Sequence, residues 1–359
     1  MLNRLPIMQI RGGSSKGVFI KASDLPSDVK QRDEILLSVM GRDDRQIDGL
    51  GGSHPLTSKV AIVGPSTKED VDVDYLFVQV VVGQNRVDST PNCGNILSGV
   101  GAFAIESGMV KIHDETTMIR VNMLNSDKIC ELVVQTPNGE IEYEGNTKID
   151  GVPGSAAPVI CRYLDIAGSI CGSLFPTGKY SEKIDGVNVT CIDNGMPVVV
   201  IRANDLGKNG YETCPELSLD KELLAKVESI RLEAGTRMGL GDVTSKVIPK
   251  MTLISEPREG GNICTRTFIP HTCHSSIGVL GAVSVATACI FPKTVAHAIS
   301  VVPQKLNKQM SVEHPSGEFS VELICDESKG DLVIKKAGLL RTARILCKGE
   351  VYYPSQNYN

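Results

Sequence analysis

The chain has 359 residues, a formal net charge of −5 and no cluster of Lys and Arg interleaved with aromatic residues. Its length suffices for two domains with separate cores, and its charge excludes the electrostatic footprint of a nucleic-acid-binding protein. No stretch reaches the roughly 20 apolar residues that span a bilayer, and the first residues lack an apolar signal segment. We therefore expect a cytoplasmic protein with no nucleic-acid or membrane partner.

The predicted elements are mostly strands. Helical periodicity is clear at 31–40 and 219–234, where the opposite faces carry ordinary charges. Runs of apolar and β-branched residues predict strands at 76–82, 118–121, 132–136, 187–192, 197–201 and 319–325.

The segment 88–108, DSTPNCGNILSGVGAFAIESG, predicts a helix of a different kind. After Asn95 the apolar residues recur at helical spacing, the other faces are small, and only Glu106 is charged. A helix without a polar face has no side to turn to solvent, so we expect other elements to enclose it. Sheet is the expected surrounding.

A second uncharged helix is predicted at 273–289, CHSSIGVLGAVSVATAC. A shift of 180 positions (273 − 93) aligns Cys93 with Cys273, Gly101 with Gly281 and Ala102 with Ala282. This weak repeat predicts two pseudo-symmetric domains with a cleft between them, and a cysteine at the start of a buried helix in each.

Eleven cysteines are scattered without CxxC pairs, which argues against a disulfide scaffold. Several lie in strand patterns and are predicted to be small core residues: Cys130, Cys161, Cys191, Cys325 and Cys347. No group of residues has the spacing of zinc ligands, and neither GxGxxG after a strand nor a P-loop is present. We expect no metal and no nucleotide cofactor.

The start of the first uncharged helix is a candidate anion site. Unpaired N–H groups and the helix dipole there can bind a carboxylate, with Asn92, Gly94 and Asn95 contributing to the socket. The same dipole favours the thiolate of Cys93. A core cysteine beside an N-cap is the equally weighted alternative.

Lys59 is a candidate base. It follows the glycine-rich stretch 49–53 and directly precedes the apolar strand 60–63. Loss of solvation there favours the neutral amine, which can take a proton from carbon. An exposed lysine at a strand start explains the position equally well.

These motifs resemble the PrpF family, which includes 2-methylaconitate isomerase, 4-oxalomesaconate tautomerase and 3-methylitaconate isomerase. The resemblance is carried by RGGSSKG, GGSHPLTSKVAIV, DSTPNCGN and SGVGAFAIE, and it continues through TPNGEIEYEGNTKIDGVPGSAAPV, CIDNGMPVV, RLEAGTRMGLGDV, EHPSG and RTARILCKGEVYYP. Length and motif variants look most like the tautomerase branch.

The resemblance implies an α+β fold of two diaminopimelate-epimerase-like domains, each a mostly antiparallel barrel-like sheet around a central apolar helix. We expect them at 1–183, completed by 340–359, and at 184–339. It also implies cofactor-independent allylic proton transfer on a small unsaturated di- or tricarboxylate, with Lys59 as base and Cys93 in the same site. Double-bond migration and cis-trans isomerisation are both open, and 4-oxalomesaconate is the preferred substrate type.

Further substrate-binding candidates each have a plainer alternative. Ser14 and Ser15 can donate hydroxyls or form a tight turn. Arg266 can pair with a carboxylate or lie at the surface. Ser316 and Gly317 are expected to line the same cleft. Cys273 and His274 form a second helix-start socket, or His274 is a satisfied core histidine.

Three other functions stay open: a 2-methylaconitate or 3-methylitaconate isomerase, an amino-acid epimerase using paired thiols, and a non-catalytic polycarboxylate-binding accessory protein. The pair Cys273-His274 departs from the Cys-Gly pair of diaminopimelate epimerase, which weakens the epimerase interpretation. A non-catalytic binder has no need of a desolvated lysine. The oligomeric state is not fixed by the sequence, and a homodimer is one option.

Overall fold

A computed structural model describes residues 2–90, 92–164, 166–326 and 332–354. The chain divides into two compact units, one made of Met1–Tyr163 with Leu340–Asn359 and the other of Leu164–Leu339. Both combine helices with a larger share of strand, so the fold is α+β and mostly sheet. Within the described residues no helix is long and apolar enough to cross a membrane.

Residues 164–183, expected in the first domain, belong to the second unit. Hydrogen bonds to the Asp193 carboxylate and a β-bridge explain this difference. Asp193 accepts hydrogen bonds from the N–H groups of Ile170 and Cys171 at 2.8 and 2.7 Å, and Ala167 forms a β-bridge with Asn194. These contacts attach the segment to strands that follow it in the sequence. The unit division also assigns Leu340–Asn359 to the first unit.

Among its described residues, the first unit has eight strands that lie wholly within it and three α-helices. The strands are β1 (Leu2–Gly12), β2 (Ser15–Lys21), β3 (Lys59–Pro65), β4 (Val73–Val80), β5 (Val87–Asp88), β6 (Thr116–Met123), β7 (Lys128–Gln135) and β8 (Pro158–Tyr163), and the helices are α1 (Val29–Met40), α2 (Gly94–Leu97) and α3 (Val100–Glu106).

Alternation along β2 shows how the sheet of this unit separates two apolar layers. Val18 and Ile20 pack with the buried side of α1, whereas Phe19 points the other way and its ring lies 5.8 Å from that of Phe103 in α3. Successive side chains of a strand face opposite sides, so one strand serves both layers. Residues Val100–Ala104 of helix α3 are all buried, as this uncharged stretch predicts, while Glu106 at the end of the helix is exposed.

The second unit repeats the same kinds of element. Its strands are β9 (Glu182–Ile184), β10 (Val187–Asp193), β11 (Pro197–Arg202), β12 (Lys250–Ser255), β13 (Ile263–Phe268), β14 (Asn307–His314) and β15 (Gly317–Asp326), and its helices are α4 (Cys214–Leu219), α5 (Lys221–Arg237) and α6 (Val279–Ile290). Helix α5 packs on one face of the sheet through Leu223, Val227 and Ile230, and α6 contacts β10, β11, β14 and β15.

Strand β16 (Val333–Pro354) contributes to both units. Its residues up to Leu339 pair antiparallel with β15, and its residues from Ala343 onward pair antiparallel with β1, where Leu2 lies opposite Pro354. The first unit is therefore completed by the last described residues of the chain.

Both units follow the same series of strand pairings. Along β1-β2-β3-β4-β6-β7-β8 the pairs are antiparallel, parallel, antiparallel, parallel, antiparallel and antiparallel. Along β10-β11-β12-β13-β14-β15-β16 they run in the same order. The helices also fall at matching places, with α1 between β2 and β3 as α4 and α5 lie between β11 and β12, and α3 before β6 as α6 lies before β14.

The structure confirms all six predicted strands and corrects two expectations. Helix α6 begins at Val279 with Gly278 as N-cap, so Cys273 and His274 do not start a helix. The glycine and serine residues at 275–278 have weak helix propensity and form the approach to the helix instead. Cys347 is exposed on β16, whereas Cys130, Cys161, Cys191 and Cys325 are buried as expected. All eleven cysteines are free thiols.

Candidate active site

The turn between β1 and β2 lies directly against the start of α2. A Cβ atom added to Gly12 would lie 2.4 Å from the carbonyl oxygen of Asn95, and one added to Gly13 would lie 2.2 Å from Asn95 Oδ1. Gly13 also has a positive φ of 54°, which side chains disfavour. These glycines let Asn95 Nδ2 donate to Ser14 Oγ at 3.1 Å. The two predicted residues Ser14 and Asn95 are thus brought together.

Ser15 occupies the first position of β2 and is almost fully buried. Its hydroxyl has no hydrogen-bond partner among the described residues. A buried hydroxyl without a partner costs free energy comparable to a lost hydrogen bond, so such a group suits an external ligand or water. This property fits the predicted substrate-binding role of Ser15.

Lys59 begins β3 and is held from two sides. Its Nζ donates to Gln79 Oε1 at 2.7 Å and lies 4.9 Å from the centre of the Phe77 ring. Lys59 also pairs with Gly17 across the parallel β2–β3 ladder. Only 8% of the residue is exposed, so the alternative of a solvated lysine at a strand start does not apply.

Side chains of strand β4 contact both the amine of Lys59 and the backbone of Cys93. Tyr75 donates its hydroxyl hydrogen bond to the carbonyl oxygen of Cys93 at 3.3 Å, and Phe77 lies under the amine of Lys59. Residues two apart share one face of a strand and lie about 7 Å apart. The backbone of Cys93 and the amine of Lys59 therefore approach the same face of β4. Burial raises the pKa of Tyr75 well above its usual value, so its hydroxyl stays a neutral donor.

Cys93 is the N-cap residue of α2, as the sequence indicates, but the helix there is short. Helix α2 has only four residues before a turn at Ser98 and Gly99, after which α3 continues. The side chain of Cys93 makes no capping hydrogen bond, and the first N–H groups of a helix have no acceptor within it. Asn92 is exposed, while Cys93, Gly94 and Asn95 are half-buried.

In the second unit, Arg266 lies on β13 and uses most of its N–H donors in hydrogen bonds within the protein. Its Nε donates to the carbonyl oxygen of Glu212 at 2.8 Å, and its Nη1 donates to that of Thr265 at 2.9 Å and contacts the sulfur of Cys264 at 3.5 Å. It is buried, so the surface alternative does not hold. Its Nη2 has no protein acceptor among the described residues and is the donor left for a ligand.

Cys273 is buried and lies opposite Phe268 in an isolated β-bridge. Its neighbour in space is Cys214, and both sulfurs approach the carbonyl oxygen of His274, at 3.4 Å from Cys214 and 3.9 Å from Cys273. Burial, reinforced by Cys214, raises the pKa of the Cys273 thiol to about 12. His274 is exposed, and its Nδ1 accepts the N–H of Ser276 at 2.9 Å, so it is not a core histidine.

Ser316 and Gly317 lie at the turn between β14 and β15. The N–H and the hydroxyl of Ser316 both lie 3.3 Å from His314 Nδ1, while His314 Nε2 lies 3.2 Å from Ser276 Oγ. Gly317 has a φ of 139° and pairs with His314 in the ladder. The imidazole of His314 therefore connects the turn with the approach to α6.

The sequence model of a protein family described as "PrpF protein" matches residues 2–354. The chain belongs to the PrpF family. It is 52% identical over 349 residues to a 4-oxalomesaconate tautomerase of Pseudomonas putida, covering 97% of this chain and 96% of the relative. It is 50% identical over 352 residues to a (4E)-oxalomesaconate Delta-isomerase of Novosphingobium, covering 98% of each.

A solved structure extends the comparison to the fold. The crystal structure of a methylitaconate-delta-isomerase superposes with a TM-score of 0.89 and 30% sequence identity, covering 98% of this chain and 96% of that chain. This PrpF protein is therefore an isomerase, and the alternative of a non-catalytic binding protein is set aside.

Two neighbours of the candidate residues escaped prediction. Gln79 holds Lys59, and His314 holds Ser316. Gln79 is the one amide within the apolar run 75–82 of this PrpF chain, and a polar residue in a buried strand is a signal that could have found it. His314 has no comparable signal in the sequence. Ser276 is 38 positions away, and the contact with Ser316 depends on the shape of the β14–β15 turn. Among the described residues, no group of three or more His, Cys, Asp or Glu side chains could hold a metal ion.

Proposed function

We propose that this isomerase acts on 4-oxalomesaconate or a similar unsaturated polycarboxylate by cofactor-independent allylic proton transfer. The observation that carries the proposal is identity of 50% and more, over nearly the full chain, to two relatives named for oxalomesaconate. The methylitaconate-delta-isomerase is less similar, at 30% identity, so a methylitaconate or methylaconitate substrate is the second candidate.

Lys59 is the proposed base. It removes a proton from the carbon next to the conjugated carboxylate system and becomes an ammonium group, leaving a delocalised dienolate. The ammonium group then returns a proton at the other end of the three-carbon system, which moves the double bond and restores the amine. The contact with Gln79 Oε1 orients one N–H of Lys59, which supports a fixed position for the amine.

Donors within the first unit are the proposed partners of the substrate carboxylates. The unpartnered hydroxyl of Ser15, the Ser14–Asn95 pair and the N–H groups of Gly94 and Asn95 can stabilise charge as it develops. Cys93 is a proposed catalytic neighbour of Lys59, with Asn92 at the exposed end. In the second unit, Nη2 of Arg266, Ser316 and Gly317 are proposed substrate-binding residues, and Cys273 and His274 are proposed in the same role.

We further propose that the two units are pseudo-symmetric copies of a diaminopimelate-epimerase-like domain. Their shared series of strand pairings and the matching places of their helices support this. The epimerase reaction itself is disfavoured, because a thiol with a pKa near 12 is a poor base at neutral pH. We also propose that the protein is cytoplasmic and forms a homodimer.

The experiment is incubation of the purified protein in deuterated water with oxalomesaconate, methylaconitate, aconitate and methylitaconate in parallel, followed by proton NMR. We expect double-bond migration with deuterium uptake, fastest for oxalomesaconate. Faster turnover of methylitaconate or methylaconitate would transfer the assignment to the second candidate. Turnover of none of the four would refute the proposal.

Lys59→Met tests the base and keeps most of the volume over Phe77. Loss of a general base typically costs about 10²–10⁴ in rate, so we expect turnover to fall by at least about a hundredfold. Lys250→Met is the matched control, because Lys250 is the first residue of β12, the counterpart of β3, and burial lowers its pKa. Circular dichroism verifies both folds. If Lys250→Met were the inactive variant, the base would be assigned to the wrong unit.

A further inference from the structure

A small cavity of about 120 Å³ lies beside the β1–β16 ladder of the first unit. Arg11 and Arg344 line it from the ladder, and Thr147, Ser155 and the ring of Tyr143 line it from the segment that precedes β8. One water occupies about 30 Å³ in the liquid, so the cavity has room for a few waters or for one small ion.

The two arginines are unusual because they face each other. Arg11 and Arg344 are directly opposite in the antiparallel ladder, where like charges destabilise a sheet. Neither forms an ion pair among the described residues. Burial, together with the charge of Arg344, lowers the pKa of Arg11. Two close positive charges therefore lie at this cavity with no carboxylate among the described residues within ion-pair distance of either.

The donors of these side chains are only partly used. Nη1 of Arg11 donates to the carbonyl oxygens of Gly13 and Thr342 and to the hydroxyl of Thr342, at 2.9–3.0 Å. Its Nε and Nη2, and the whole guanidinium of Arg344, have no protein acceptor in the described part of the chain. Arg11 is therefore fixed in place by one nitrogen, while the remaining donors are available to a ligand.

We propose that this cavity is a binding site for one small oxyanion, a phosphate or a carboxylate, held between Arg11 and Arg344. Guanidinium groups bind both anions through paired N–H donors, and a single negative charge relieves the repulsion across the ladder. Thr147 and Ser155 add hydroxyl donors at the cavity wall. Glu144 also lines the cavity but pairs with neither arginine, so an incoming anion displaces no existing ion pair. Because the Glu144 carboxylate repels an anion, we expect the anion to lie on the side of the two arginines.

The site is separate from the residues proposed for catalysis but touches the same turn. Arg11 binds the carbonyl oxygen of Gly13, and a Cβ added to Gly151, in the segment that lines the cavity, would lie 3.1 Å from Ser14 Cβ. Anion binding is therefore expected to stiffen the turn that carries Ser14. Binding itself does not depend on the proposed reaction.

The test uses inorganic phosphate and acetate as probes, titrated separately into the full-length protein at low ionic strength by calorimetry, with thermal unfolding followed in parallel. Arg344→Gln removes one exposed arginine from the cavity. Arg4→Gln is the control, because Arg4 lies on the same ladder and its weak, exposed contact is with Glu350. We expect Arg344→Gln to weaken binding at least about tenfold and Arg4→Gln to leave it unchanged, since only Arg344 supplies charged hydrogen bonds to the anion.

Without anion, Arg344→Gln is expected to unfold at a higher temperature than the wild type, because it removes the repulsion with Arg11. The wild type should gain more from added anion than the variant does. Binding of phosphate alone, of acetate alone or of both identifies the anion class, provided that Arg344→Gln weakens that binding as expected. Equal binding by wild type and Arg344→Gln, or no binding by the wild type, would overturn the proposal.

Discussion

Lys59 and Gln79 lie directly opposite each other on β3 and β4, and the lysine amine donates to the amide oxygen of the glutamine. The amide nitrogen of Gln79 is held in turn by the carbonyl oxygens of Ser58, Pro55 and Val80 at 2.9–3.2 Å. These contacts fix which end of the amide faces the lysine. Gln79 is therefore a positioning residue for the amine.

Gln79→Leu is predicted to lower kcat by about tenfold or more with little change in KM, because the amine loses its fixed orientation but the substrate donors remain. Steady-state kinetics across pH measures the effect. Gln84→Leu, at a solvent-exposed turn, is the control for loss of an amide. An unchanged kcat in Gln79→Leu would make the contact with Lys59 incidental.

Cys93→Ser is predicted to slow turnover less than Lys59→Met, because serine keeps the N-cap position and leaves the N–H groups of Gly94 and Asn95 in place. Rates in deuterated water and substrate affinity by calorimetry should be compared. Complete loss of proton exchange with substrate still bound would show that the thiol is an obligatory proton carrier, and two-base chemistry would then replace the single-lysine proposal.

The thiol of Cys273 is predicted to resist alkylation at pH 8. Burial and Cys214 hold its pKa near 12, so it remains a neutral thiol throughout the neutral range and becomes a thiolate only as the pH approaches that value. Iodoacetamide labelling followed by mass spectrometry should modify exposed Cys347 well before Cys273. Cys273→Ala should retain substantial activity. Rapid labelling of Cys273 coupled to inactivation would revive the paired-thiol epimerase.

Gly101→Ala is predicted to destabilise the protein by about 1–3 kcal/mol through overpacking. The new methyl group would lie 2.6 Å from Val134 Cγ2 inside the first unit. Gly281→Ala is the matched control in α6, where the nearest atom is Ile277 Cγ1 at 3.5 Å, and it should be neutral or stabilising because alanine favours helix. Urea unfolding compares them, and equal stabilities would contradict the tight packing of α3.

The amino-acid pattern predicts the strands and the buried helix well, because period-two alternation and the absence of charge are local properties. The absence of charge places the start of α6 too early. Residues 273–278 are uncharged like the helix, but they belong to the turn that follows β13. Composition cannot separate an uncharged approach from an uncharged helix.

Within the candidate site, the sequence indicates residues but not their partners. The Ser14–Asn95 contact joins positions 81 apart, and the Lys59–Gln79 contact follows from a strand register that no single segment encodes. The hydrogen bond from Arg266 to the carbonyl oxygen of Glu212 joins β13 to the loop before α4, and neither segment predicts it alone. Local sequence patterns therefore predict which side chains have the chemistry to bind or react with a substrate. Tertiary contacts decide which of those side chains still have donors that a substrate can use.

Strand β16 gives the first unit a particular order of assembly. Leu2 pairs with Pro354, a separation of 352 positions (354 − 2), and the whole second unit lies in between. On the ribosome, β1 must wait for its partner until the second unit has been synthesised, so that unit can fold while the first still has an open sheet edge. Such late, long-range pairing slows folding and leaves the edge of β1 exposed to other chains. A chaperone would therefore protect this protein most during synthesis, while the edge of β1 is still unpaired.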